Sequence, residues 1–249
     1  IKNTKYLLIS INPLTFLSFI ILFIFKKKIF VYLRSSGHEE YKYILGSWAV
    51  WIYDLMYRLV TSKSTVIVCD HRLYNKKSYL VLPSKLDDRW LKRQKTASLS
   101  EIKFLYVGRI NPEKGILNFI KMFKKLKINA KLSIVSETKN IQEANNNIFF
   151  LGHGFDTESL INIYDDHNIM ILPSYTEGHP QVVIESLARR RPVIIFEEIS
   201  HIIKNRKGIF VAKRQVDEFF KTVDYIKKNY EKIQKEMEEN QLPTRNDFF

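Results

Sequence analysis

Residues 173–194, PSYTEGHPQVVIESLARRRPVI, decide how the second half of this chain folds. The apolar run IMILP leads into the stretch, and the apolar run PVIIF begins at its end. Between these runs lie a loop that contains Gly178 and Pro180 and then a segment, QVVIESLA, whose apolar residues recur at helical spacing. The order strand, tight loop, helix, strand is the unit from which parallel sheets are built.

Two carboxylates in this stretch, Glu177 and Glu185, stand eight positions apart. Proline suits the first turn of a helix, so a helix that starts near Pro180 places Glu185 about one and a half turns along it. This separation favours gripping two distant parts of one ligand over sharing a proton, and each carboxylate can accept hydrogen bonds from paired hydroxyls. Two ordinary glutamates on a helix surface remain the alternative.

The rest of the second half repeats the same alternation. Its six apolar runs are KFLYV, KLSIV, IFFL, IMILP, PVIIF and GIFV. Most of them are separated by helical or mixed segments, namely ILNFIKMFKKLK, a short polar one near Ile141, TESLINIYDDH and QVVIESLARR. Runs of β-branched and aromatic residues that alternate with amphipathic helices predict a doubly wound parallel sheet.

The first connection in that half, LYVGRINPEKGI, has the features of an anion site. Gly108 ends a predicted strand, Arg109 follows it, and Lys114 stands at the start of the next predicted helix. A helix start with unpaired N–H groups, joined by an arginine and a lysine, suits a diphosphate. The segment is neither a Walker loop nor a G-x-G-x-x-G fingerprint. Plain surface charges are the alternative for Arg109 and Lys114.

The first third of the chain also alternates strands and helices, which predicts a second parallel sheet. A strand near its start, a turn at Asn12-Pro13, an apolar helix to about Lys27 and the strand IFVYLRS form one βαβ unit. Residues 7–25 also fit a membrane span followed by lysines, and that alternative stays open. His38 is predicted in a loop just past a strand end, either solvated or in an active site.

The composition describes a globular protein with a strong positive charge. The 249 residues carry a formal net charge of +14, which favours nucleic acid, acidic lipid headgroups or phosphorylated substrates as partners. Nucleic acid is disfavoured, because the sequence has no helix-turn-helix, RNA-recognition or zinc signature. The single cysteine, Cys69, lies in the apolar run TVIVC and is predicted to be a buried structural thiol.

Two motifs together carry a family resemblance. VGRINPEKG followed by PSYTEGHPQVVIESLA resembles the donor-binding half of glycosyltransferase family 4, which has the GT-B fold, and Glu177 and Glu185 match its E-x7-E pair. The resemblance implies an α/β protein of GT-B type with two Rossmann-like domains and parallel sheets, the N-terminal one incomplete. The expected parts are a partial acceptor-side domain over 1–85, a linker over 86–102, a nucleotide-sugar-binding domain over 103–214, and a C-terminal helix and tail over 215–249.

The resemblance also implies roles for individual residues. Gly108, Arg109 and Lys114 would bind the donor diphosphate. Glu177 would contact the donor sugar as a catalytic residue, Glu185 would bind the ribose hydroxyls, and Gly178, His179 and Pro180 would form the loop whose backbone approaches sugar and phosphate. His38 is the candidate for the second catalytic residue. The family is typically retaining and needs neither a metal nor a cofactor, and the chain has no D-x-D triplet.

The activity so implied is sugar transfer from a nucleotide-diphosphate sugar to a glycan or lipid-linked acceptor in cell-envelope polysaccharide or lipopolysaccharide synthesis. The enzyme would be cytoplasmic, and its positive charge fits a peripheral position on the anionic inner face of the cytoplasmic membrane. The alternative is a non-catalytic nucleotide-sugar-binding remnant or partner subunit. Arg190 stands where the family has a helix-ending glycine. The three arginines 189–191 are predicted to be solvated, with a phosphate or lipid contact as the alternative. The pairs Asp87-Asp88 and Asp165-Asp166 are predicted to be surface or capping residues.

Overall fold

The computed structural model describes residues 4–97, 99–126, 128–137 and 147–248. The polar segment predicted near Ile141 lies outside the described residues. The strands are β1 (Lys5–Ile9), β2 (Lys28–Leu33), β3 (Thr65–Val68), β4 (Tyr79–Leu80), β5 (Ile102–Val107), β6 (Ala130–Val135), β7 (Ile148–Gly152), β8 (Ile169–Leu172), β9 (Val193–Phe196) and β10 (Ile209–Ala212).

The helices follow the predicted alternation with the strands. They are α1 (Pro13–Ile24), α2 (Gly37–Leu45), α3 (Val50–Lys63), α4 (Asp88–Leu91), α5 (Ile116–Phe123), α6 (Thr157–Asp165), α7 (Gln181–Ala188), α8 (Val216–Lys228) and α9 (Tyr230–Met237). Short 3₁₀ turns occupy Ser47–Ala49, His71–Leu73, Pro112–Lys114, Glu197–Ile203 and Asn246–Phe248.

The chain divides into two compact units. The first contains the chain up to Pro83 together with Thr176–His179, and the second contains Ser84–Tyr175 and Pro180–Asp247. The first holds a four-stranded sheet in the order β1-β2-β3-β4, and the second a six-stranded sheet in the order β10-β9-β8-β5-β6-β7. Every strand pair in both sheets is parallel, so the predicted fold class of two parallel α/β sheets is confirmed.

In the first unit, the predicted turn at Asn12 is the start of α1. Asn12 accepts hydrogen bonds from the backbone of Leu14 and Thr15, while the Thr15 hydroxyl accepts one from the Asn12 N–H, which completes a capping box. Pro13 is the first helical residue, where its missing N–H costs nothing. The helix has 12 residues and ends at Ile24, three positions before the predicted end at Lys27. Among the described residues no helix is both long and apolar enough to cross a bilayer.

In the second unit, the segment predicted as a linker is part of the folded body. Leu86 and Trp90 are buried in the core of this unit, and Trp90 packs edge-on against Tyr164. Residues from Ser84 onward therefore belong to the second unit and not to a free connection. The predicted C-terminal helix is two helices, α8 and α9, whose apolar sides join the same core.

The prediction that the three consecutive arginines are solvated is wrong for two of them. Arg189 and Arg191 are each 1% exposed, and their guanidinium groups surround Asp165, which is also buried and is not the surface residue predicted. Arg190 alone reaches the surface, where it pairs with Glu238. Its φ of 54° is left-handed, as expected for a residue at the position of a helix-ending glycine.

Candidate functional site

The two motifs singled out in the sequence are packed against each other in the second unit. The Tyr175 N–H donates to the Glu113 carbonyl at 2.9 Å, and the Asn118 side chain donates to the Tyr175 hydroxyl at 2.8 Å. Gly115 has a left-handed φ of 65°, and a Cβ there would lie 2.2 Å from the Pro173 carbonyl oxygen. Glycine at this position therefore permits a contact between the loop after β5 and the loop after β8 that no other residue allows.

The predicted diphosphate residues lie at the carboxyl end of β5. Gly108 directly follows this strand, and the Arg109 side chain is 66% exposed, with a nitrogen 3.9 Å from a Glu113 carboxylate oxygen. Lys114 is half-buried and ends the 3₁₀ turn that leads through Gly115 into α5. Both cations thus stand beside the start of α5, whose first backbone N–H groups have no partner within the helix.

A cavity of about 280 Å³ opens at the same sheet edge. It is lined from the ends of three neighbouring strands, β5, β6 and β7, which is where open parallel sheets bind ligands. The lining includes Gly108, Arg109, Ser136, His153, Gly154 and Phe155. The Ser136 hydroxyl is buried and has no hydrogen-bond partner among the described residues, so it is available to a ligand in the cavity.

Sequence reasoning missed this cavity. The signal was present, because Ser136 directly follows β6, as Gly108 follows β5. Gly152 is the last residue of β7, and Gly154 lies two residues beyond it. Small and polar residues at several adjacent strand ends indicate a binding edge more strongly than one motif does.

Glu185 is a buried residue of α7, not a surface glutamate. It is 6% exposed, and one carboxylate oxygen accepts a hydrogen bond of 2.9 Å from the Tyr164 hydroxyl. Burial raises the pKa of the Glu185 carboxyl, while the Tyr164 hydrogen bond and the charge of Lys85 oppose that rise. Burial and the neighbouring carboxylate raise the pKa of Tyr164 well above its ordinary value, so its hydroxyl stays protonated and donates.

Tyr164 was not predicted as a site residue. It lies on α6 at the spacing of a core residue, and its ring does pack in the core. Its hydroxyl donates to one Glu185 oxygen, and no described protein group donates to the other. A carboxylate that accepts hydrogen bonds from a ligand is expected to have such an oxygen.

The remaining motif residues, Glu177, Gly178, His179 and Pro180, complete the loop between β8 and α7. Glu177 and His179 are half-buried, and Pro180 is the N-cap of α7, one position earlier than the first turn in which it was predicted. Thr176–His179 groups with the first unit, where a Cβ on Gly178 would lie 2.1 Å from the Arg34 carbonyl oxygen. This close approach explains why the loop has glycine at its centre.

Arg214 holds the start of this loop, and nothing in the sequence distinguished it from a surface arginine. Its guanidinium stacks on the rings of Tyr175 and Phe196, with centroids at 4.0 and 4.4 Å. It also donates to the carbonyls of Pro173 and Ser174, at 2.9 and 3.2 Å. The residue therefore supports the loop backbone through both cation–π contacts and hydrogen bonds.

His38 lies in the first turn of α2 and not in a loop, because the Ser36 side chain caps that helix. Its ring packs edge-on against Tyr53 and Tyr57, and its Nε2 atom is 3.5 Å from the Asp54 carboxylate. The position after the carboxyl end of β2 agrees with the predicted placement, while the catalytic role stays a prediction. Within the described part of the chain, no group of three or more His, Cys, Asp or Glu side chains could hold a metal ion.

Comparison with protein families identifies relatives of the second half. The family model described as glycosyl transferases group 1 matches residues 88–242. The capsular polysaccharide biosynthesis glycosyltransferase CapM of Staphylococcus aureus is 32% identical over 124 residues, which are 43% of this chain and 32% of CapM. A glycosyltransferase of Haemophilus influenzae is 27% identical over 161 residues, which are 57% of this chain and 44% of that protein. The matched stretch thus spans less than half the length of these two relatives.

Solved structures share the fold over nearly the whole chain. Sucrose-phosphate synthase from Thermosynechococcus elongatus aligns with a TM-score of 0.71 and 16% identity, over 94% of this chain and 68% of that one. HepE from Anabaena, solved with UDP-glucose, aligns with a TM-score of 0.66 and 13% identity, over 93% and 71%. The parallel α/β architecture of the two units is therefore that of GT-B proteins, and the expected resemblance is confirmed.

Proposed function

Because the chain belongs to the glycosyl transferases group 1 family, we propose that it transfers a sugar from a nucleotide-diphosphate donor. The observation that carries this proposal is the joining of the two motifs at one edge of the second sheet, beside a cavity that contains Arg109 and a buried hydroxyl without a partner. An edge with cations, a helix start and an enclosed polar atom suits a nucleotide.

The diphosphate of the donor would bind to Arg109, Lys114 and the backbone at Gly108. Arg109 is exposed and its planar guanidinium can bind two phosphate oxygens, while Lys114 adds a point charge at the start of α5. Sugar transfer leaves a nucleoside diphosphate with growing negative charge. In this proposal the two cations and the helix start stabilise that charge in the transition state, without a metal or a cofactor.

The nucleoside would extend from the diphosphate into the cavity and toward Glu185. The Ser136 hydroxyl can form a hydrogen bond with a polar atom at the edge of the base. The Glu185 carboxylate, one oxygen of which binds the Tyr164 hydroxyl, can accept further hydrogen bonds from the two ribose hydroxyls. The raised pKa of Glu185 fits this role, since a buried carboxylate is stabilised when a ligand donates hydrogen bonds to it.

The sugar would bind in the loop of Glu177, Gly178, His179 and Pro180. We assign Glu177 to the donor sugar and His38 to the second catalytic position, with retention at the transferred carbon, because the family resemblance implies these roles. The solved complex of HepE with UDP-glucose supports a nucleotide-sugar donor, and the similarity to CapM supports a role in polysaccharide synthesis. The glycan or lipid-linked acceptor and the cytoplasmic location are proposed on the family resemblance alone.

A screen of UDP-, GDP- and ADP-sugars by thermal shift, followed by calorimetry, tests the donor class. Glu185→Ala is expected to weaken nucleotide binding, since the ribose hydroxyls lose a charged acceptor worth about 1.5–3 kcal/mol. Glu177→Ala is expected to lower transfer more than binding. If both variants bind and turn over as the parent does, the site assignment is wrong.

A second candidate function keeps nucleotide-sugar binding without catalysis, as a remnant or partner subunit. The observation in its favour is that, among the described residues, the first unit forms a sheet of four strands and the second a sheet of six. Donor binding without turnover, tested with lipid-linked and glycan acceptors, would favour this candidate over the enzyme.

A further inference from the structure

The first unit carries an apolar surface on the outer sides of α1 and α3. Because β1-β2 and β2-β3 are both parallel and step in the same direction across the sheet, right-handed connections place both helices on one face. The two helices also pack against each other. We propose that this helix face docks onto an anionic lipid bilayer and lies in the interface without spanning it.

The helix α1 exposes apolar side chains that a fold would ordinarily bury. Its 12 residues include no charged one, and among them only Phe19 is buried. Leu14, Leu17, Ile21 and Ile24 follow one another at intervals of three or four residues, which aligns them in one stripe. Leu14 is 78% exposed and Ile24 is 68% exposed. A continuous exposed stripe of this kind marks an interaction surface, unlike scattered single residues.

The helix α3 continues the surface with aromatic residues. Trp51, Leu55 and Leu59 stand at intervals of four on its outer side, and Trp48 precedes it in the Ser47–Ala49 turn. The two tryptophans are 65% and 64% exposed. Tryptophan is enriched at the level of lipid headgroups, because its ring is apolar while its N–H needs a polar partner.

The charges around the helix face are positive and complement an anionic bilayer. Lys26, Lys27 and Lys28 follow α1 after its C-cap residue Phe25, and all three are exposed. Lys63, at the end of α3, is exposed as well. The one acidic residue in the two helices is Asp54, whose carboxylate is 2.8 Å from the Arg58 guanidinium. An apolar stripe with lysines at its end is the pattern of helices that lie in a membrane interface.

The same features argue against the other occupants of the face. A helix of 12 residues is about 18 Å long, too short to cross a hydrocarbon core of about 30 Å. In a symmetric dimer the patch would meet its own copy, and the lysines after α1 would find on these two helices only Asp54, which Arg58 already pairs. The inference concerns the first unit alone and goes beyond the proposed sugar transfer, so it holds or fails independently of donor binding.

Vesicle flotation of the full chain tests the proposal. Vesicles of phosphatidylglycerol and phosphatidylethanolamine should bind the protein about a hundredfold more tightly than phosphatidylcholine vesicles at low salt, since three lysines near an anionic surface act together. Binding should weaken as salt is raised. Of the three tryptophans in the sequence, Trp90 is buried, so a blue shift and quenching by brominated lipid would report Trp48 and Trp51.

Variants separate the apolar from the electrostatic contribution. Leu14→Ser combined with Leu17→Ser and Ile21→Ser should abolish binding, and exchange of Lys26, Lys27 and Lys28 for glutamine should remove the preference for anionic lipid. Phe220→Ser, an exposed apolar residue of the second unit, is the matched control and should bind as the parent does. Each variant should fold, because all the exchanged side chains are exposed, and circular dichroism would verify this.

Three results would overturn the proposal. One is a parent chain that does not float with anionic vesicles. Another is equal loss of binding in Phe220→Ser and in the stripe variant. The last is a dimer of the parent chain, detected by light scattering, that the triple variant of Leu14, Leu17 and Ile21 no longer forms. The helix face would then be an interface between two copies.

Discussion

Replacing Arg189 by methionine should destabilise the second unit strongly, although the sequence predicts that this arginine is solvated. The guanidinium uses all of its N–H donors. It binds both Asp165 carboxylate oxygens, at 2.9 and 2.7 Å, and the carbonyls of Trp90, Lys92 and Arg93, at 2.8 to 2.9 Å. The residue therefore joins the end of α4 and the two residues after it to the end of α6.

The expected loss follows from the burial of both partners. Arg189 and Asp165 are each 1% exposed in their side chains, so removing the arginine leaves a buried carboxylate with only Arg191, 3.6 Å away. Breaking a buried ion pair on one side costs about 3–5 kcal/mol. For a unit of this size that is a fall in melting temperature of about 10 °C.

Urea unfolding followed by far-UV circular dichroism measures this loss. The matched control is Arg190→Met, one position along, whose ion pair with Glu238 is exposed and worth about 1 kcal/mol or less. Both exchanges remove one arginine and add one methionine, so they differ only in burial. Free energies of unfolding for the two variants that agree to within about 1 kcal/mol would refute the structural account of the arginines.

Two further exchanges test the site itself. Gly115→Ala should cost about 2–4 kcal/mol and weaken nucleotide binding, because it combines a left-handed φ with a clash against the Pro173 carbonyl; the free energy of unfolding and calorimetry measure both effects. Tyr164→Phe should raise the pKa of Glu185 further, since it removes the hydrogen bond that lowers it. If the ionised carboxylate binds ribose, nucleotide affinity rises with pH through that pKa, and the variant moves the rise to higher pH. Tyr230→Phe, which removes another buried hydroxyl, is the control and should leave the pH profile unchanged.

The same raised pKa predicts how stability depends on pH. The folded pKa of Glu185 lies above its unfolded value, so in this range the native state holds more protons than the unfolded state. The contribution of this group to the free energy of unfolding therefore decreases as pH rises from the unfolded to the folded pKa. Bound nucleotide that donates to the carboxylate should reduce this decrease.

The sheet of the second unit could be predicted from sequence because buried parallel strands appear as short continuous apolar runs. The contact between the two motifs could also be predicted, since Gly108 and Pro173 both follow strand ends and the carboxyl ends of parallel strands lie at one edge of the sheet. The helix that contains His38 could have been recognised as well. Ser36 and Glu39 have the spacing of a capping box, and the serine does cap α2.

The buried arginines could not be predicted, because their partner is distant in sequence. Asp165 lies 24 residues before Arg189, and nothing local distinguishes either from a solvated charge. The hydrogen bond between Tyr164 and Glu185 spans 21 residues and has the same cause. Periodicity reports which face of an element is buried, but not which polar atoms meet inside the fold.

Calorimetric titration with UDP, GDP and ADP tests the central claim most directly. The account predicts that the chain binds at least one of these diphosphates, and that the double variant Arg109→Ala with Lys114→Ala binds it about a hundredfold or more weakly, because two charge-assisted contacts are lost. Lys121→Ala, which removes an exposed lysine of the adjacent helix α5, should bind as the parent does. Binding of the double variant with the affinity of the parent, or no diphosphate bound by the parent, would contradict the account.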